Sequence, residues 1–306
     1  MAVVVRSDVG EDGLLRICPD SAELLPIADG LKLCEGPVWH AAQGCLYFSE
    51  IVGDTIWRWD PKVGRSPHIR PSGHANGLAL DGQGSLIVAG WSERCVWRAE
   101  AGGERAVLVD NHLGVPLNTP NDVIVAGDGS ILFTDPDSAL HTPGMAGADV
   151  QRYLEVAGVY RRRPDGELTL LDSDFESPNG LCLSPDESVL YVDDTSLGLV
   201  RAFDVDRDGG VGNSRVFHRL RGEEPGAADG MKVDQEGNLY TTGPGGIHVL
   251  APDGRWLGRI RIPDRTTNLG FGDADWRTLY ITTWSGVFQL RLGIPGLPIG
   301  SARVPG

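Results

Sequence analysis

An all-β fold, a six-bladed β-propeller with four-stranded antiparallel blades, is what this sequence predicts, as one domain over residues 1–306. Three observations predict it: a short motif that recurs six times, a repeat length of about forty residues, and the near absence of helical periodicity. The copies are Glu35-Gly36-Pro37-Val38-Trp39, Asn76-Gly77-Leu78-Ala79-Leu80, Asn121-Asp122-Val123-Ile124-Val125, Asn179-Gly180-Leu181-Cys182-Leu183, Asp229-Gly230-Met231-Lys232-Val233 and Asn268-Leu269-Gly270-Phe271-Gly272. Their first residues are 41, 45, 58, 50 and 39 positions apart.

Each copy leads through a turn into a second apolar strand: Leu46-Tyr47-Phe48, Leu86-Ile87-Val88, Ile131-Leu132-Phe133, Leu190-Tyr191-Val192, Leu239-Tyr240-Thr241 and Leu279-Tyr280-Ile281. Gly84, Gly129, Pro185-Asp186 and Gly237 supply the reversals between them. Third strands such as Thr55-Ile56-Trp57-Arg58-Trp59 follow.

Composition agrees. Of 306 residues, 41% are hydrophobic, enough for a large core, and 42 Gly with 20 Pro suit many short strands and tight turns. A net charge of −15 repels phosphate backbones, so no nucleic-acid partner is expected. The five cysteines form no C-x-x-C pair and read as reduced core thiols of a cytoplasmic protein. No signal peptide or membrane-length apolar run is seen. The Gly- and Pro-rich tail from about residue 293 is expected to be loosely ordered.

Other motifs carry no chemistry. Asp204-Val205-Asp206-Arg207-Asp208-Gly209 imitates the start of an EF-hand loop, but its twelfth position is Arg215, so a strand-connecting turn is expected. Neither a G-x-S-x-G elbow nor a P-loop occurs.

The innermost strand of a propeller blade lines the central channel, so the six leading residues should meet on one axis. All six (Glu35, Asn76, Asn121, Asn179, Asp229 and Asn268) carry a side-chain oxygen. One Asn-Gly dipeptide is ordinarily a turn, but six oxygens in register, two of them acidic, point to a hard divalent cation at the hub.

These motifs, together with Pro120-Asn121-Asp122-Val123, Ser177-Pro178-Asn179-Gly180-Leu181 and Pro71-Ser72-Gly73-His74-Ala75-Asn76, resemble the gluconolactonase/regucalcin (senescence marker protein) family. The resemblance runs from about Glu35 to Thr283. It implies a metal-dependent lactone hydrolase with Glu35, Asn121, Asn179 and Asp229 as ligands of one cation. Calcium is the first expectation, with magnesium, manganese and zinc as alternatives. It also implies Asp229 as base or nucleophile, with Asn121 the other catalytic candidate, and Asn76, Asn268 and Asp122 in support. Gly90-Trp91-Ser92-Glu93 departs from the acidic/His stretch of bacterial relatives, which bears on whether a gluconolactone-type sugar is the substrate.

Strand polarity places the loops entering each blade, and those joining second to third strands, on the metal face. Candidate substrate contacts there are Asn76, His74, Trp91, Asp122, Tyr153 and Trp284, with Glu50, Asp194 and Thr195 also at the mouth. The long segment 136–157, which also holds His141, Met145 and Glu155, is expected to cover part of the site. The expected partner is a small lactone or ester, and the expected state a monomer or weak homo-oligomer. Organophosphate hydrolysis is the second hydrolytic reading. A non-hydrolytic scaffold or a strictosidine-synthase-type propeller is the third; the Glu/Asn/Asn/Asp set speaks against the synthase.

Overall fold

Each motif opens the inner strand of one antiparallel sheet, and the expected six-bladed propeller is the fold observed. A computed structural model describes residues 3–4, 7–9, 13–141 and 149–298. The inner strands are Cys34–His40, Leu78–Leu80, Val123–Val125, Pro178–Leu183, Met231–Val233 and Thr266–Gly272 in blades one to six. Each pairs with the strand that follows it, and the order runs outward strand by strand.

The ring closes through the N-terminal segment. After Thr266–Gly272 the chain supplies only two more strands to blade six, Thr278–Thr283 and Val287–Arg291. Glu23–Ala28 provides the fourth, pairing Leu290 with Leu24 and Val287 with Ala28. Ser7–Val9 adds a fifth strand to blade five. Joining the first and last parts of the chain in one sheet removes the free edge that an open ring would leave.

Glycine after the leading residue lets the inner strands crowd the axis. A Cβ on Gly36 would lie 2.6 Å from the Asn76 carbonyl oxygen, and one on Gly180 would lie 2.0 Å from that of Asp229. Blade three has Asp122 where the glycine falls, so a carboxylate enters the crowded hub. Hydroxyls bridge neighbouring blades: Ser49 donates to the Asn76 carbonyl at 2.7 Å, Thr134 to that of Asn179 at 2.7 Å, and Thr267 to that of Cys34 at 2.5 Å.

Between the blades lie buried aliphatic and aromatic side chains, with Phe48, Phe133, Tyr160, Phe203, Tyr240 and Tyr280 of the second and third strands fully enclosed. All five cysteines are free and buried, as expected of core thiols. In the Asp204–Gly209 stretch the first two residues end the strand Leu199–Val205 and the rest form a strand-connecting turn, in which Asp206 Oδ1 accepts from the amides of Asp208 and Gly210 at 2.9 and 2.8 Å. Among the described residues no helix is long and apolar enough to cross a membrane.

The tail differs from expectation as far as Pro298. Gly293 N–H donates to Ile17 at 2.7 Å, Gly296 N–H to Trp276 at 2.8 Å, and Ile294 is buried. Apolar contacts with blades five and six hold a segment whose composition suggested looseness. The rest of the tail lies outside the described residues.

Candidate functional site

The leading residues sit at a local irregularity that several of the inner strands share. In blade one Glu35 pairs with Ser49 but Val38 pairs with Tyr47, so one extra residue is inserted. Blades four and six have the same insertion, between Pro178 and Leu181 and between Thr266 and Leu269. In blade two the amide of Asn76 donates to Ala89 while the Ala89 amide donates to Gly77, so two residues oppose one. Such bulges re-aim side chains at strand ends, here toward the axis.

Three hub residues form a hydrogen-bonded group. Asn268 Nδ2 donates to Glu35 Oε2 at 2.9 Å and approaches Asp122 Oδ2 at 3.4 Å, and its Oδ1 accepts from the Leu269 amide at 2.8 Å. Asn268 therefore presents a donor to the carboxylates. Asn179 Nδ2 donates to Thr195 Oγ1 at 3.1 Å, and that hydroxyl donates to the Ala228 carbonyl at 2.8 Å, joining blade four to the residue before Asp229. Asn76 Oδ1 is buried without a hydrogen-bond partner. Asn121 is buried at the same level, its carbonyl accepting from Gly77 at 2.8 Å.

The carboxylates crowd one another. Burial first, and Asp122 second, push the Glu35 carboxyl up to about 8. Burial, then the charge of Glu35, raise Asp229 well above the usual carboxylate range, although Asp229 keeps some exposure toward the channel mouth. Among the described residues no three His, Cys, Asp or Glu side chains cluster as a metal site. A cation at the hub would thus depend on carboxamide oxygens beside two carboxylates.

The remaining candidates stand around this group. His74 hydrogen-bonds through Nδ1 to the Ile51 carbonyl at 2.7 Å. Trp91 is buried against Ile51 and Ala139, its indole N–H unpartnered. Trp284 is half exposed with the Arg265 guanidinium 4.8 Å above its ring. Tyr153 is exposed beneath Arg94, 5.2 Å away. Glu50 accepts from the Lys32 amide at 3.0 Å and from Trp57 Nε1 at 2.9 Å, and Asp194 accepts from the Glu176 amide at 2.8 Å. No hydrogen bond or ring contact among the described residues joins His74, Trp91, Tyr153 or Trp284 to the hub carboxylates.

Of segment 136–157, residues 142–148, Met145 included, lie outside the described residues. Ser138–His141 forms one 3-10 turn that buries Ala139 and Leu140. Arg94 holds the later part, donating to the carbonyls of Asp149 at 2.9 Å and Gln151 at 2.6 Å. Replacing Arg94 by Ala strands these carbonyls and is expected to lower the melting temperature by about 3 °C. Amide hydrogen exchange at 149–151 should accelerate; unchanged exchange would show that Arg94 does not tether the segment.

Three groups escaped the sequence reading. Asp193, fully buried on the second strand of blade four, accepts from the Gly180 amide at 3.2 Å and has its other oxygen unpartnered. Arg265 lies near enough to Asp229 to favour its ionised form. Lys232 does the same for Glu35. The only signal for these was strand alternation beside the motifs, which does not tell channel from interblade positions.

A six-bladed propeller whose inner strands open on Glu, Asn and Asp side chains, with Glu35, Asp122 and Asn268 hydrogen-bonded at the hub, defines the class. The chain belongs to the SMP-30/gluconolactonase/LRE-like family, whose model matches residues 33–285. It is 33% identical to the gluconolactonase of Zymomonas mobilis over 288 residues, covering 87% of this chain and 80% of that one. It is 29% identical to a pentonolactonase of Haloferax volcanii, covering 83% and 82%. The structure of a Xanthomonas campestris gluconolactonase superposes with a TM-score of 0.87 at 34% identity, covering 95% of this chain and 97% of that one.

Proposed function

We propose that this protein is a cation-dependent lactone hydrolase with Glu35, Asn121, Asn179 and Asp229 as the ligand set. The observation that carries the reading is the Asn268 carboxamide set between the Glu35 and Asp122 carboxylates at 2.9 and 3.4 Å, with Asp229 near enough for the Glu35 charge to act on it. Lactonases among the relatives support the reaction class.

A hard divalent cation fits the donors. The hub offers oxygen rather than thiolate or imidazole, the chemistry that suits calcium, magnesium or manganese. Its carboxyls are held toward the neutral form by burial and mutual repulsion, and the buried Asn76 Oδ1 is left unsatisfied. When bound, the cation supplies Lewis-acid polarisation of the lactone carbonyl.

The chain's own residues do the rest. Asp229, whose ionised form Arg265 and a bound cation favour, takes a proton from water as the hydroxide adds to the carbonyl, and returns it to the ring oxygen as the ring C–O bond breaks, giving a hydroxy acid. If Asp229 attacks the carbonyl itself, the ring opens onto an acyl-enzyme that water then hydrolyses. Asn268 and Thr195 fix the orientations of Glu35 and Asn179. Arg265 and the exposed face of Trp284 form part of the rim, an amphipathic edge against which a ring substrate can lie.

The test is hydrolysis of a panel of sugar and alicyclic lactones before and after chelation. Activity should disappear with the cation and return when it is restored; full activity in excess chelator contradicts the proposal. Stability gives a second expected outcome. A raised carboxyl pKa lowers stability as pH climbs from the unfolded value, near 4.5 for Glu35, through about 8, because the folded hub must then hold charge. In chelator the melting temperature should therefore fall across that window. Adding cation at about a hundred times its Kd should raise it by about 4 °C, with a larger gain at pH 8 than at pH 6. A gain independent of pH would remove the hub carboxylates from the cation's ligands.

A further inference from the structure

The axial channel has a second mouth, on the face where the inner strands end, and it opens into a cavity of about 520 Å³. Each blade contributes a wall residue: Val38, Leu80, Val125, Leu183, Val233 and Phe271. Leu297 forms part of the rim. The size and mostly apolar lining are those of a small-molecule site.

One cation lines it. Lys232 lies on the inner strand of blade five, and its ammonium donates to the Met231 carbonyl at 2.9 Å. No carboxylate forms an ion pair with it among the described residues. The other charged lining residue, Glu187, already accepts from the Gly127 amide at 2.8 Å. Lys232 lines the cavity, and its charge also acts on Glu35 at the hub. The ammonium stands beside the aliphatic walls with no carboxylate at ion-pair distance among the described residues, and an anion with its own apolar body would pair with it directly while filling the walls.

We propose that this cavity binds a monocarboxylate with an unbranched aliphatic body, its head on Lys232 and its chain against the six strand ends. The site is separate from the catalytic hub and does not depend on the lactonase reading.

Octanoate is the probe, titrated calorimetrically into the full chain in chelator, with octylamine and 1-octanol as controls. One saturable site is expected, with octylamine binding at least about tenfold more weakly. Lys232→Met should weaken octanoate by about tenfold or more while leaving octanol unchanged, Lys232→Arg should restore it, and Val125→Trp should block both. Asp229→Asn should bind octanoate as the wild type does. Absence of saturable binding overturns the proposal, as does equal affinity in Lys232→Met. Loss of binding in Asp229→Asn would place the ligand at the hub instead, and binding that appears only after residues 299–306 are deleted would assign the cavity to the chain's own tail.

Discussion

Replacing Asp229 by Asn is expected to cut lactone hydrolysis by about a thousandfold or more, because the variant loses both the proton acceptor and an anionic ligand. The same substitution should make the chelated protein more stable at pH 8. Asp229 is partly withdrawn from solvent near Glu35, and desolvation and that charge both raise its pKa. An acid whose folded pKa lies above its unfolded one costs stability as pH rises through that interval, whereas Asn does not titrate. Melting temperatures in chelator from pH 5 to pH 8 should fall less steeply for the variant. A variant that is both inactive and less stable across this range would mark Asp229 as a packing residue.

Gly180→Ala should be the most damaging of the conservative hub substitutions. The added methyl would lie 2.0 Å from the Asp229 carbonyl oxygen and 2.9 Å from Gly230 Cα, both backbone atoms of the next blade. Neither can rotate away, so blades four and five must separate and carry Asn179 and Asp229 apart. A cost of about 3 kcal/mol is expected, or about 5 °C in melting temperature, with weakened cation binding as well. Gly212→Ala is the control, since nothing lies within 4 Å of its added methyl. Equal behaviour of the two variants would show that blade contact at the axis does not set the site.

The fold was legible in the sequence because a propeller repeats one solution six times. A single Asn-Gly is ambiguous, but six leading oxygens at blade-length intervals are not. Ring closure was less visible: Glu23–Ala28 carries no motif, and only its pairing with Val287–Arg291 shows that it completes blade six. That each motif opens an inner strand was legible for the same reason as the fold. The neighbours of the leading residues were not, since Asp193 and Lys232 differ from ordinary strand residues only in which way a bulged strand turns them. Trp91 shows the converse limit. An aromatic after a strand end reads equally as a pocket wall or as packing, and the structure seats it against Ile51 and Ala139. The tail from Gly293 to Pro298 misled by composition, because backbone bonds to Ile17 and Trp276 override what Gly and Pro suggest.

The most direct measurement of the central claim is a crystal structure of the protein grown with manganese, with anomalous scattering recorded at the metal's absorption edge. One peak on the channel axis, about 2.1–2.5 Å from side-chain oxygens of Glu35, Asn121, Asn179 and Asp229, is the expected result. An axis without a peak at saturating manganese, or a peak bound elsewhere while lactone hydrolysis persists, would contradict it.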